Sequence, residues 1–140
     1  MKKSRLMDKK LNFPVIATVV LNAFILIGAG HGLGILLIYE ILSPQFILSD
    51  ANAFNLDRYD GRLVPAAFFS LIFQVLLLIS LKIKRRQLQK ILINTFCIIL
   101  MLIFFVLVKD FSKSNVDNLS LISGIPFLIS SLFLLLKINF

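Results

Sequence analysis

Residues 13–41 read FPVIATVVLNAFILIGAGHGLGILLIYEI, an apolar run whose ionisable members are His31 and Glu40 and whose middle holds four alternating glycines. A helix needs about 20 residues to cross about 30 Å of hydrocarbon. At 1.5 Å per residue this run would cover roughly 40 Å, so it must tilt, break or extend past the headgroups. The place for a break is Gly28-Ala29-Gly30-His31-Gly32-Leu33-Gly34, because each glycine weakens a helix by about 1 kcal/mol against alanine. At the other end, Pro14 suits a first helical turn, where its missing N–H costs nothing, and Asn12 suits the cap before it.

The rest of the chain continues in the same vein. Of its 140 residues 59% are hydrophobic and 16% charged, with a mean hydropathy of +0.95, far more apolar than one soluble core requires. Further apolar runs at 63–83, 90–108 and 119–137 complete four candidate spans. Between them lie outer loops at 43–61 and 109–118 and a basic inner link at 82–90. The expectation is an all-α integral membrane protein, a four-transmembrane-helix bundle forming one domain over 1–140. Too little chain remains outside the spans for a second domain.

Formal net charge is +8, and the cations sort by membrane side. Lys2, Lys3, Arg5, Lys9, Lys10, Lys82, Lys84, Arg85, Arg86, Lys90 and Lys137 fall on one side. Arg58, Arg62, Lys109 and Lys113 fall on the other, among Asp50, Asp57, Asp60, Asp110 and Asp117. Eleven cations against four place both termini in the cytoplasm. Small size and the lack of organelle signals point to a bacterial cytoplasmic membrane. The basic N-terminus followed by an apolar run imitates a signal peptide, but the run resumes at Leu33 and exceeds the h-region length of about 7 to 15 residues, so a retained signal-anchor is expected. Topology accounts for the cations without nucleic acid as a partner. Lys82, Lys84, Arg85 and Arg86 lie where anionic lipid headgroups would meet them.

Chemistry-bearing groups are few. Cys97 is the one cysteine, which excludes internal disulfides and cysteine zinc sites; it reads as an apolar filler. Walker A, HExxH and GxSxG motifs and paired catalytic carboxylates do not occur, so no enzymatic activity and no metal are expected. An ionisable residue within a span is a functional candidate by default. His31 offers a proton relay, a haem axial ligand or a solute contact, against a neutral imidazole bonded to Gln74 or a serine. No cofactor is required, and a bis-histidine haem would need a second chain. Glu40, nine residues after His31, points away from it on a straight helix; near the headgroups it suits water or an ion pair with Arg58 or Arg62. Gln74 is expected to hydrogen-bond across helices from the Ala67, Ser70, Gln74 stripe. Asn94 lies toward the cytoplasmic end of the third span.

Small residues mark packing faces. Gly28 with Gly32 and Gly30 with Gly34 form two GxxxG pairs on either side of His31, and Ser120 with Gly124 forms a third small pair. Pro126 is expected to free the carbonyl of Ile122, and Pro44 to open a short interfacial helix in the first outer loop. Abundant small faces and scarce ionisable groups lead to the expectation of a non-enzymatic packing or accessory subunit, whose partners are the bilayer and other transmembrane helices. The alternative is a homo-oligomeric small-solute or proton-coupled transporter or channel, with His31, Gln74, Asn94 and Ser130 as a sparse polar path. A haem- or quinone-linked redox subunit is a third possibility.

Overall fold

The computed structural model describes the backbone of residues 2–29, 32–49, 57 and 59–139, and the side chains of these except at 2–10, 29 and 60. Seven elements follow in order: α1 (Lys2–Ala23), β1 (Leu26–Ala29), β2 (Gly32–Ile35), α2 (Leu36–Ser49), α3 (Tyr59–Ser80), α4 (Arg86–Leu107) and α5 (Asn115–Asn139). Three helical stretches, Gly61–Ser80, Arg86–Leu107 and Asn115–Asn139, are long and apolar enough to cross a membrane. Leu11–Ala23 and Leu36–Ser49 are shorter apolar helices. The helices lie side by side in the sequence α2, α3, α4, α5, α1.

The continuous first helix expected over 13–41 is replaced by a helix, an antiparallel strand pair and a second helix. The interruption falls in the glycine-rich segment. There Ile27 pairs with Gly34, Gly28 with Leu33 and Ala29 with Gly32. A bulky residue thus faces a glycine in two of these pairs, which lets the two backbones approach without crowding side chains. The helical azimuths of the GxxxG reading therefore do not apply, because a strand alternates sides at every residue. Gly30 and His31 lie outside the described residues.

Pro14 sits inside α1, which begins at Lys2, so neither it nor Asn12 marks a helix start. The Thr18 hydroxyl donates to the Pro14 carbonyl over 2.9 Å, one turn back. Pro44 is likewise internal to α2, which runs through it to Ser49. The segment assigned to an interfacial helix within the loop thus continues the helix before it. The later spans extend beyond their expected limits mainly at their N-terminal ends, α3 to Tyr59, α4 to Arg86 and α5 to Asn115. Much of the basic inner link is consequently the first turn of α4. The Gln89 side-chain amide holds the tight α3–α4 turn by donating to the Leu81 carbonyl over 3.2 Å.

The interior joins Ile93, Cys97, Leu100 and Phe104 of α4 to Leu63, Ala67 and Leu77 of α3 and Phe127 and Leu134 of α5. Phe104 and Phe127 meet edge to face with centroids 5.7 Å apart. Facing outward are Ile91, Ile98, Leu102 and Phe105 on α4 and Ile122, Ile125, Ile129, Leu132 and Phe133 on α5. Meanwhile Asn22, Glu40, Arg62, Ser70, Gln74, Asp117 and Ser120 are buried. Polar groups inside a sheath of exposed Leu, Ile and Phe are the arrangement that lipid favours and water penalises.

Candidate functional site

Two polar clusters occupy the interior, one halfway along α3 and one at its N-terminal end. Ser70 and Gln74 stand about 14 and 20 Å beyond Gly61 at 1.5 Å per residue, close to the middle of that span. Both face inward beside Ala67 on the stripe anticipated from their spacing. The Gln74 amide donates to Glu40 Oε1 over 2.6 Å and to Ser70 Oγ over 3.2 Å. From α1, the Asn22 amide donates to the same Ser70 hydroxyl over 2.5 Å. Thus α1, α2 and α3 are tied by four side chains that converge on one point.

Glu40 is 0% exposed. Its placement overturns the expectation of a water-facing carboxylate paired with Arg58 or Arg62. Arg58 lies outside the described residues, and Arg62 is engaged elsewhere. The reversal has a geometric cause: the strand pair redirects the chain before α2, so a depth counted along a straight helix no longer says how near Glu40 lies to the headgroups. Glu40 Oε2 is buried with no hydrogen-bond partner among the described residues. Ser43, one turn further on, closes the polar stretch of α2 by donating to the Glu40 carbonyl over 2.9 Å.

Arg62 organises the second cluster. Its Nη1 donates to Asp110 Oδ2 over 2.6 Å and its Nη2 to Asp117 Oδ2 over 2.9 Å. The Asp110 backbone N–H also donates to Asp117 Oδ2, over 2.9 Å. Asp117 sits in the first turn of α5, where a carboxylate is favoured by the helix dipole. The Ser114 hydroxyl caps that turn by accepting the Asp117 N–H over 3.4 Å. Arg62 therefore links α3 to the α4–α5 turn and to α5. The guanidinium also lies 6.0 Å from the centre of the Tyr59 ring, within cation–π range.

Tyr59 and Ser123 tie the strand pair to this end of the bundle. The Leu36 N–H to Ile25 carbonyl bond of 2.9 Å sets the odd-numbered residues of β1 toward β2, so the N–H groups of Leu26 and Gly28 point the other way. Side chains satisfy both. The Leu26 N–H donates to Ser123 Oγ over 3.0 Å and the Gly28 N–H to Tyr59 Oη over 3.4 Å. Tyr59 Oη shares a further hydrogen bond of 3.0 Å with Ser120 Oγ. Burial pushes the Tyr59 phenol above its ordinary pKa, with Asp117 adding to the rise against the hydrogen bonds and Arg62. The hydroxyl is accordingly neutral at physiological pH and available to both neighbours.

Gly28 belongs to the same contact. A Cβ placed on it would lie 2.4 Å from Val116 Cγ1 on α5, and Val116 is a short branched side chain with little room to yield. Gly28→Ala is expected to destabilise the fold by about 1–3 kcal/mol, the usual range for overpacking. Thermal unfolding in detergent checks this, and Val116→Ala in the same chain should restore most of the loss. Gly34 differs, because a Cβ there would meet only Ile27 Cγ1 at 3.9 Å. Gly32 is exposed.

The other anticipated residues fall into separate places. Asn94 donates to Asn139 Oδ1 over 2.9 Å near the C-terminal end of α5. Ser130 pairs with Thr18 over 2.9 Å, joining α5 to α1. Gly124 and Ser120 face into the chain, Gly124 against Phe104 and Ser120 against Tyr59. Lys82, Lys84, Arg85 and Arg86 are exposed, and Arg85 and Arg86 line a shallow recess with Gln87, Leu88 and Ile91. Among the described residues no group of three or more His, Cys, Asp or Glu side chains could hold a metal ion. Sequence reading missed Asn22 as a partner of Ser70 and the grouping of Tyr59, Arg62, Asp110 and Asp117. For the latter a signal existed: Arg62 flanks one apolar run, and the two aspartates flank two others at the same end.

No protein-family model, no curated protein and no solved structure matches this chain.

Proposed function

We propose that the chain is a four-pass integral membrane protein with both ends on the cytoplasmic side, and that it carries a small cation, the proton included, through the Asn22, Glu40, Ser70 and Gln74 cluster. The observation that carries this reading is a fully buried carboxyl on α2, hydrogen-bonded through one oxygen to Gln74 within the α3 span and open at the other. Intramembrane carboxyls without a cationic partner are expensive, and ion pathways are where they are retained.

The pass count rests on α1 and β1 together. Thr18 meets Ser130, Leu26 meets Ser123 and Gly28 packs on Val116, so helix and strand run antiparallel along most of α5. That length suits one crossing. The eleven-to-four division of cations then supports placing the α3–α4 turn inside, with Lys82, Lys84, Arg85 and Arg86 beside anionic headgroups. Backbone that leaves the helix at membrane depth is tolerated where protein covers it, and α5 with Tyr59 covers β1.

The accessory-subunit reading rests on small-residue faces that bind other spans, of itself or of a larger complex, and on scarce ionisable groups. Gly28, Ser120 and Gly124 are instead occupied within this chain, which weakens the first of these grounds. Proteoliposomes on a solid-supported membrane test the proposal: a pH step, then at fixed pH a step in NaCl or ethylammonium chloride, should each be tried. A transient current from at least one, lost with Glu40→Ala, is expected. Correctly folded protein giving no current above empty liposomes, together with a defined heteromeric assembly from native membranes, would favour the accessory subunit and end the carrier reading.

A further inference from the structure

We propose that the ion taken at this cluster is a proton bound to Glu40 Oε2, and that its binding loosens α2 from α3. The inference rests on the carrier reading for its purpose, and on the donor chemistry of the cluster for its content.

A bound alkali cation requires several oxygen ligands around one point. Here the polar atoms turned toward Glu40 and Ser70 are largely N–H groups: Gln74 Nε2 is directed at both, and Asn22 Nδ2 at Ser70. These donors suit an anion and repel a metal cation. Ser70 Oγ already accepts from two amides, which leaves it a poor additional ligand. What the cluster does offer is one carboxylate oxygen with no donor against it, Glu40 Oε2, fully buried. A proton is the cation that one such oxygen can hold alone.

Among the described residues the surroundings contain no charge that would fix the carboxyl in one state. Facing it are Gln74 and Ser70 on α3, Asn22 on α1 across Ser70, and Ser43 on its own helix; none of these is charged. Arg62, Asp110 and Asp117 lie two to three turns away along α3 and are bonded to one another. His31 lies outside the described residues. In the ionised state the Gln74 N–H to Glu40 Oε1 contact is charge-assisted, and such bonds are roughly twice as strong as neutral ones. Taking up a proton forms one O–H bond at Oε2, breaks none in the protein, and changes Glu40 from −1 to neutral. The Gln74 bond then weakens, and with it the shortest side-chain tie between α2 and α3. Proton occupancy is thereby coupled to the seating of α2, the movement a carrier needs.

Infrared spectroscopy of the full chain in liposomes reads the carboxyl directly. Expected is a carboxylic C=O band that exchanges with a carboxylate signal as pH is stepped, shifts in D2O, ignores replacement of NaCl by KCl, and vanishes in Glu40→Gln. Should that variant fail to fold, Gln74→Leu provides the second check, because removing the donor should shift the band and its pH midpoint. The inference is overturned by a band that persists in Glu40→Gln, by no pH-dependent band in the folded protein, or by a band that responds to Na⁺ at constant pH. The carrier reading fails separately: a Glu40 band without any proteoliposome current supports the protonation site and removes transport, whereas current that survives Glu40→Gln without a band does the reverse.

Discussion

Arg62→Met is expected to destabilise the protein by about 3–5 kcal/mol, the range found when one member of a buried ion pair is removed. The size follows from what stays behind. Asp117 is 0% exposed and holds Arg62 Nη2 at 2.9 Å, so the substitution leaves a buried carboxylate with the Asp110 backbone N–H as a remaining donor but without its cation. Asp110, 35% exposed, can turn to solvent, and truncating it should cost much less. Cys97 supplies the readout: it is the only cysteine in the sequence and is buried, so a fluorogenic thiol reagent reacts as the bundle opens on heating.

The double variant Arg62→Met with Asp117→Asn separates loss of attraction from stranded charge. Asparagine keeps the acceptor that takes the Asp110 N–H but carries no charge. If the stranded carboxylate dominates, the double variant melts above Arg62→Met alone. Coupled neighbours commonly show interaction energies of about 0.5–3 kcal/mol, enough to measure. If the single variant melted like the parent chain, the cluster would be dispensable to the fold, and its role at the end of α3 would need another explanation.

How far the sequence reveals this arrangement depends on the distance over which each interaction acts. The three long helices and the break among the glycines follow from local composition, and Gln74 was readable as a cross-helix donor because an unpaired amide in mid-span is costly. The strand pair was not readable. The outer N–H groups of β1 are satisfied by Tyr59 and Ser123, residues about 30 and 100 positions away, and without such cover helix is the safer expectation at membrane depth. Glu40 differs for a related reason, since its closeness to the headgroups is counted along a helix that the strands interrupt. Arg62 was grouped with loop charges by a rule that counts cations by side and is blind to the depth at which each is held.

Gly124→Ala is the second large effect expected, and it decides between two meanings of a small-residue pair. A Cβ on Gly124 would fall 2.3 and 2.4 Å from Phe104 Cε2 and Cζ. Phe104 cannot swing away freely, because it is buried and its ring lies edge to face against Phe127 and Phe105. Overpacking of about 1–3 kcal/mol is the expected penalty, seen as a lower melting temperature with unchanged oligomeric state. Phe104→Leu gives the sharper test. In the parent chain it opens a cavity and should destabilise; in Gly124→Ala it vacates the volume the new methyl needs and should stabilise. That reversal of sign belongs to a contact inside one chain. A seam between chains would respond differently: Gly124→Ala would shift the assembly equilibrium, the melting temperature would depend on protein concentration, and Phe104→Leu would rescue neither.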